Sequence, residues 1–406
     1  MVKFAVLGYG VVGSGVVELF YTNREGIIAK VGKPVDLKYI LDIREFPDSP
    51  YKDKFVKSIE TILSDDEVCA VAECMGGVHP AYEFTKACLE NGKSVSTSNK
   101  QLVAEKGAEL LKIAKEHHCN FFFEASVGGA IPIIRPLHKC LAANEITEVA
   151  GILNGTTNFI LTKMINEGME FDTALKMAQE LGYAEKDPTA DVEGEDACRK
   201  ICIISSLVYG KHVYPNSVYT KGITDISLED VQFVKRWGGA IKLIAYVKKL
   251  QDGRIIPLVC PMLVYGSNLI SKVDDVFNAV MVCGNGIDKT LFYGRGAGKL
   301  PTASAVLGDI INELQHDNTV LSQYWEDCGN TDFIAHYSEF VAQMYFRIKG
   351  DESMIPEGAE VISNADDDYI VFITKPISME QAEKLSSNIS ENNGSIISTI
   401  PVLDIK

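Results

Sequence analysis

Asp196 and Lys200 stand four residues apart, where a polar stretch runs into the apolar run Ile201-Cys-Ile-Ile204. At that spacing two side chains share one helix face. A lysine ammonium held there can stabilise negative charge growing on a carbonyl oxygen, or give that oxygen a proton. The same spacing equally suits an exposed ion pair worth about 0.3–0.5 kcal/mol. The approach to the pair is rich in anions: Gly182-Tyr-Ala-Glu185-Lys-Asp187, then Asp191. A second lysine closes Thr97-Ser-Asn-Lys100.

Another chemistry is written at the start of the chain. Gly8-Tyr9-Gly10-Val11-Val12-Gly13 lies between a strand-like run, Val2 to Leu7, and a helical one, Val11 to Tyr21. In that context the glycines fit a dinucleotide. The first allows the tight turn, the second lets the pyrophosphate approach the backbone, and the third lets helix and strand pack closely. Free N–H groups at the helix start then face the anion. The second strand ends with Asp42 and Arg44. An acid there usually binds the ribose hydroxyls of NAD, and an arginine accommodates the 2′-phosphate of NADP; both are present, so the choice stays open. Lys100 follows the fourth strand, and open α/β sheets bind ligands beyond the carboxyl ends of strands, which places it near the nicotinamide.

The elements that must position these groups follow from the pattern of apolar residues. Strands are expected at Asp36 to Leu41, Glu67 to Met75, Ser94 to Thr97 and Asn120 to Phe123, with helices at Pro80 to Glu90 and Leu102 to Glu116. Such alternation is the signature of a parallel sheet wound with helices, so the fold class is α/β. From about 131 the pattern changes. Ile146 to Leu153 reads as a strand, and helical patterns follow at about 157–168, 172–181 and 194–209. Ser227-Leu-Glu-Asp230 resembles a capping box opening a long helix to Leu250. Arg254 to Val264 reads as a strand, and Gly294-Arg-Gly-Ala-Gly298 leads into an apolar helix from about 302 to 314. Beyond 334, strand character at Met344 to Lys349, Glu360 to Ser363, Tyr369 to Thr374 and Ser395 to Leu403 surrounds one helical stretch, Ser378 to Ile389. Asn364 and Asp366 to Asp368 supply a turn signal.

The 406 residues are 46% apolar and 23% charged, ordinary for a globular protein of two or three domains. A formal charge of −16 argues against nucleic-acid binding, which needs a basic footprint. No apolar run approaches the roughly 18 residues of a membrane span, and the first 17 residues, interrupted by glycines, read as the opening of a fold rather than a leader. Ten cysteines form no CxxC pair, and the seven histidines add no zinc-like cluster. Reduced core cysteines in a cytoplasmic protein are expected.

Taken together, these motifs resemble the homoserine dehydrogenase family. The resemblance rests on Gly8 to Gly13, Thr97 to Lys100, Glu124-Ala-Ser-Val-Gly-Gly-Ala-Ile131, Ile152-Leu-Asn-Gly-Thr-Thr-Asn-Phe159, Gly182 to Lys200 and Gly294 to Thr302, in the family's order over about the first 330 residues. It implies reversible reduction of aspartate 4-semialdehyde to homoserine with NADH or NADPH, in threonine, methionine and isoleucine biosynthesis. It implies cofactor contacts from Tyr9, Gly10, Val11, Lys100, Gly182, Gly298 and Thr302, with Met75-Gly76 lining the nucleotide. Glu185 and Asp196 would hold the amino-acid part of the substrate, and Lys200 would be the proton donor. Tyr183 and Asp191 join them as substrate-binding candidates. Backbone N–H groups near Asn154 to Thr156, Gly155 included, or else Lys186, would pair its carboxylate. Glu124 and the carbonyls of Val127, Gly129 and Ile131 would form a monovalent-cation site, usually sodium.

The implied organisation is a Rossmann-type domain over 1–130, completed by 300–330, a catalytic and dimerisation domain over 131–300, and an ACT-like module over 334–406, in a homodimer or homotetramer. The chain departs from the family at Ser267-Asn-Leu269, where many members have His-Pro-Leu. It departs again after Lys349, where about ten residues leave no room for the first ACT helix; the module would then serve dimerisation rather than threonine sensing. Two other classes stay open: a dinucleotide-sensing regulator without turnover, and an aldehyde dehydrogenase using Cys74 as nucleophile, although no histidine shows an obvious pairing with that thiol.

Overall fold

The computed structural model describes residues 1–316, 319–320, 325–363 and 368–405. Asn364, Asp366 and Asp367, where a turn is expected, lie outside them. The chain divides into two compact units: Met1–Ala143 with Cys202–Pro215 and Gly294–Asn330, and Asn144–Ile201 with Asn216–Tyr293 and Thr331–Lys406.

The first unit is a six-stranded sheet: β1 (Val2–Leu7), β2 (Val35–Leu41), β3 (Phe55–Val56), β4 (Val68–Glu73), β5 (Ser94–Thr97) and β6 (Phe121–Phe122), in the order β3-β2-β1-β4-β5-β6. Every pairing is parallel. Phe4 to Leu7 and Ala70 to Ala72 are fully buried, as parallel strands covered on both faces must be. Helices α1 (Val11–Thr22), α2 (Ala81–Glu90) and α3 (Lys100–Glu116) connect the strands. The helix Lys299–Gln315 joins them from far along the chain, adding Ala303, Val306, Leu307, Ile310 and Leu314 to the core around Phe4, Val16 and Phe20. Gly15 makes that approach possible: a Cβ there would lie 2.9 Å from the Lys299 carbonyl oxygen and 3.1 Å from the Ala303 Cβ.

The second unit begins with β7 (Ile146–Ile152), followed by α4 (Gly155–Glu167), α5 (Phe171–Glu180), the part of α6 (Glu195–Tyr209) up to Ile201, and α7 (Leu228–Arg236). The long helix expected to reach Leu250 ends at Arg236. Trp237-Gly238-Gly239 breaks it, with Gly238 at φ +89°, and Gly239–Lys249 is instead strand β8. Ala240 to Val247 are buried without exception, a pattern that leaves a helix no polar face. β8 pairs antiparallel with β9 (Ile255–Tyr265) over its whole length. Two further strands, β10 (Phe277–Gly284) and β11 (Asp288–Arg295), were not foreseen. Asn285-Gly286 separates them, a hairpin signal in plain sight.

The C-terminal strands β12 (Met344–Lys349), β13 (Glu360–Val361), β14 (Ile370–Ile373) and β15 (Ser395–Leu403) run in the order β15-β12-β14-β13, with one helix, Met379–Glu391. A single 3₁₀ turn, Glu352–Met354, stands where an ACT fold would have its first helix. β15 also pairs parallel with β9, Leu263 against Val402, so these strands continue the β11-β10-β7-β8-β9 sheet.

The capping expectation at Ser227 is half met. Ser227 Oγ accepts the Asp230 N–H, but the Asp230 carboxylate turns inward. It accepts Arg347 Nε at 2.8 Å and the Tyr345 hydroxyl at 3.0 Å, all within the core. Removing one partner of a buried ion pair typically costs about 3–5 kcal/mol, because the other charge is stranded. Asp230→Ala is therefore expected to lower the denaturant midpoint of unfolding steeply. A midpoint near that of the parent would mean that water, not Asp230, stabilises Arg347.

Candidate active site

In the first unit the β1–α1 turn has the shape a pyrophosphate needs. Gly8 sits at φ +87°. A Cβ on Gly13 would stand 1.8 Å from the Gly8 carbonyl oxygen, so that closeness demands glycine. Gly10 opens onto clear space, and Val11, although apolar, is 67% exposed at the helix start. Glycine at the N-cap leaves the first amides of α1 without a side-chain cap, the arrangement that receives anions. Val12 packs partly against the core, and the Tyr9 ring lies edge-on to Phe46 and Phe55.

Asp42, 8% exposed, accepts four hydrogen bonds: from the Tyr9 N–H at 2.8 Å, the Arg44 N–H at 2.9 Å, and Arg44 Nε and Nη2 at 3.0 and 2.8 Å. The guanidinium first, then these amides, hold its carboxyl far below the usual range. The Arg44 side chain stays 57% exposed above the Phe46 ring. Lys57, which no sequence signal marked, donates to the carbonyls of Asp42, Ile43 and Arg44. Two cations thus stand beside a carboxylate whose acceptor sites are filled. Met75 and Gly76 follow β4, and Lys100 opens α3. Gly298, at φ +123°, is the N-cap of the Lys299–Gln315 helix, and its carbonyl accepts the Thr302 N–H.

Cys74 follows Glu73 directly. Burial, and then the charge of Glu73, push its thiol well above the ordinary value, the opposite of what a thiolate nucleophile needs.

Glu124 is buried in this unit, and its carboxylate accepts the N–H groups of Ile133, Ile134 and Arg135 at 2.6, 2.9 and 2.8 Å. The residues Val127, Gly129 and Ile131 are buried as well. Their carbonyl oxygens accept no hydrogen bond from the described residues. Neutral carbonyl oxygens and a carboxylate are the kinds of donor that a hard monovalent cation takes. Among the described residues no group of three or more His, Cys, Asp or Glu offers a different metal site.

The second unit gathers Leu153, Asn154, Asp191, Asp196 and Lys200. Asn154 is the N-cap of α4, its Oδ1 accepting the Thr157 N–H at 2.8 Å. Its Nδ2 donates to Asp191 Oδ1 at 2.7 Å and to Asp196 Oδ2 at 2.9 Å. Lys200 Nζ donates to Asp196 Oδ2 at 2.8 Å and to the Leu153 carbonyl at 2.7 Å. Asp196 and Lys200 are 5% and 7% exposed, so the pair is no solvated surface bridge. Two of the three ammonium hydrogens are engaged, which leaves one for a ligand. Burial, and then the neighbouring Asp196, raise the Asp191 carboxyl above its usual range. The Asn154 side chain went unmarked in the sequence, although Asn followed by Gly-Thr-Thr at a helix start is a capping signal.

The other candidates surround this cluster differently. The Thr156 hydroxyl donates to the Tyr183 carbonyl at 2.7 Å, tying the 183–185 turn to the start of α4. Tyr183 is 42% exposed, its ring edge-on to Phe159. Glu185 is exposed and stands outside the hydrogen-bonded cluster. Gly155 and Thr156 open α4, where Asn154 caps only the third N–H. Gly182, at φ +74°, ends α5 in this unit, so of the cofactor candidates it alone lies outside the first unit.

A Rossmann unit with an open glycine turn and a second unit holding a buried lysine–aspartate pair define a nicotinamide-dependent oxidoreductase. The comparisons narrow this. Residues 132–311 match the family model of homoserine dehydrogenase, and residues 8–124 match that of its NAD-binding domain. The homoserine dehydrogenase of Bacillus subtilis is 42% identical over 320 residues, 78% of this chain and 73% of that one. The crystal structure of a homoserine dehydrogenase from Thiobacillus denitrificans superposes with a TM-score of 0.89 at 30% identity, over 99% of this chain and 98% of that one. A hyperthermophilic archaeal homoserine dehydrogenase in complex with NADPH superposes with a TM-score of 0.65 at 27% identity, over 78% of this chain and 99% of that one. The chain belongs to the homoserine dehydrogenase family. Among the described residues no helix is long and apolar enough to cross a membrane.

The Asp42 geometry carries a pH signature. Its folded pKa lies below the unfolded value near 3.8, so its stabilising contribution is complete above that value and is lost as pH falls through the folded one. Asp42→Asn is expected to be less stable than the parent at pH 7, with the gap closing below about pH 4. A gap independent of pH in thermal melts would show that packing, not charge, makes the difference.

Proposed function

We propose that this chain interconverts L-homoserine and L-aspartate 4-semialdehyde, with a nicotinamide dinucleotide as hydride carrier. The observation that carries the reading is the Lys200 ammonium, buried against Asp196 and the Leu153 carbonyl with one hydrogen left over, in a chain of this family. When bound, the cofactor gives hydride to, or takes it from, the substrate carbon. Lys200 stabilises the charge on the substrate oxygen and supplies or receives its proton; a group acting so typically contributes 10²–10⁴ in rate. Lys100, at the start of α3 in the first unit, belongs with the cofactor site. Asp196, Asp191 and Glu185 provide anions for the substrate ammonium, and Tyr183 lines the same turn. The uncapped N–H groups of Gly155 and Thr156 suit its carboxylate.

Gly8 to Gly13, Met75, Gly76, Gly298 and Thr302 cradle the cofactor. Because Arg44 and the Tyr9 amide fill the Asp42 acceptor sites while Arg44 and Lys57 stay exposed, the reading favours NADP(H) over NAD(H). The carbonyls of Val127, Gly129 and Ile131, with Glu124, would hold sodium as a structural ion. A cytoplasmic homodimer or homotetramer completes the proposal.

Steady-state kinetics with both cofactors test it directly; cofactor binding without turnover would favour a sensor instead. Lys200→Ala is expected to lower kcat by about 10²–10⁴ with the dissociation constant for NADPH nearly unchanged. A near-parental kcat would remove Lys200 from the chemistry. Arg44→Ala should raise the KM for NADPH far more than that for NADH, and equal effects on both would contradict the preference. Glu185→Ala should raise the KM for the amino-acid substrate, and an unchanged KM would take Glu185 out of the substrate site.

A further inference from the structure

Glu73 ends β4 between Leu7 of β1 and Thr97 of β5, at the carboxyl edge of the central strands. Its side chain is wholly buried. One carboxylate oxygen accepts the Met75 N–H at 2.6 Å, and the other accepts the Thr97 hydroxyl. Thr97 Oγ1 in turn accepts the Asn99 N–H at 2.9 Å. The Asn99 side chain caps α3 through the Leu102 N–H at 3.0 Å and donates to the Gly77 carbonyl at 2.5 Å. The bonds close a ring joining residues 73–77 to the first turn of α3. The ring also abuts the glycine turn, since a Cβ on Gly8 would lie 3.0 Å from Met75 Cγ and 3.1 Å from the Cys74 carbonyl oxygen.

We infer that Glu73 is a positioning residue for the cofactor, fixing the spacing between Met75–Gly76 and Lys100. The inference rests on the proposed cofactor site. A buried acid is a costly way to hold a loop unless both its oxygens are needed as acceptors. That condition is met here, because a hydroxyl and an amide both point at it. Glutamine keeps the size and one acceptor but turns an NH₂ toward Thr97, so Glu73→Gln isolates the second acceptor and its charge. Burial raises the Glu73 carboxyl to about 7. The ring's full set of acceptors therefore exists above neutrality and is lost as pH falls. Charged groups on the elements around β4 are Lys3 on β1, ion-paired to Glu67; Glu83, Lys86 and Glu90 on α2; and, on the Lys299–Gln315 helix, Lys299, paired to Glu18, Asp309, and Glu313, bonded to Asn120. Burial, and then the charge of Glu124, also raise the Asp309 carboxyl to about 7, but Asp309 bonds Ser96, Arg135 and the Glu124 N–H and is common to both proteins compared.

The test is fluorescence titration of the full chain with NADPH from pH 6 to 8, for the parent, Glu73→Gln and Thr97→Val. At pH 8 both variants are expected to bind about tenfold more weakly, with the KM for homoserine within about twofold and the thermal midpoint within a few degrees. The parent's affinity should fall toward pH 6 while that of Glu73→Gln stays level. Variants that bind like the parent, or parallel pH profiles, would overturn the inference. So would a collapse of the thermal midpoint with uniform loss of every kinetic constant. Should Glu73→Gln not fold, Thr97→Val carries the same comparison at pH 8. A parent that binds no NADPH at any pH would instead overturn the cofactor site itself.

Discussion

One carboxamide holds the catalytic half of the molecule in order. Asn154 sits between Asp191 and Asp196 and donates one hydrogen to each, so that two carboxylates lie close together near a single lysine. Without those donors the anions would repel, and the lysine would face an uneven field. The same side chain starts α4 through its oxygen. Helix geometry and site electrostatics are thus one constraint: the cap that begins the helix also fixes where the ammonium points. Lys200 has little freedom beyond that, being tied to Asp196 and to the carbonyl one residue before the cap. In the proposed reaction such preorganisation would let the cation act on a growing negative charge without first having to move.

The dinucleotide half uses backbone rather than side chains. Gly13 lies so close to Gly8 that no side chain fits between them, and Gly10 faces open space. One strand away, Asp42 is spent on Arg44 and on the turn itself. The acid that in many such folds meets the ribose here anchors the arginine, and on the proposed reading the cation would take over that recognition.

Much of this was legible in the residues. The parallel unit could be read because its strands and helices alternate with clean periods and its glycines have one geometric use each. The strand Ser94–Thr97 and the final strand Ser395–Leu403 fall at the residues expected. The failures have physical causes. Ala240 to Val247 is buried on both faces, and a run apolar but for the buried Lys242 carries no period, so a preceding helix was extended through it past Gly238. The β10–β11 hairpin was hidden because Asp288–Arg295 is largely polar and exposed, a poor strand by composition. In the site, the i,i+4 relation of Asp196 and Lys200 was visible but their burial was not. Asn154 was passed over because a cap and a carboxylate clamp look the same in sequence.

The placement of β15 gives the chain's tail an unexpected weight. It lies not at a margin but between β9 and β12, in parallel register with one and antiparallel to the other. What reads along the sequence as an appended module is, in space, a seam within a single sheet. Removing such a segment would uncover β9 at Leu263 and Val264 and leave backbone donors and acceptors there without a strand partner.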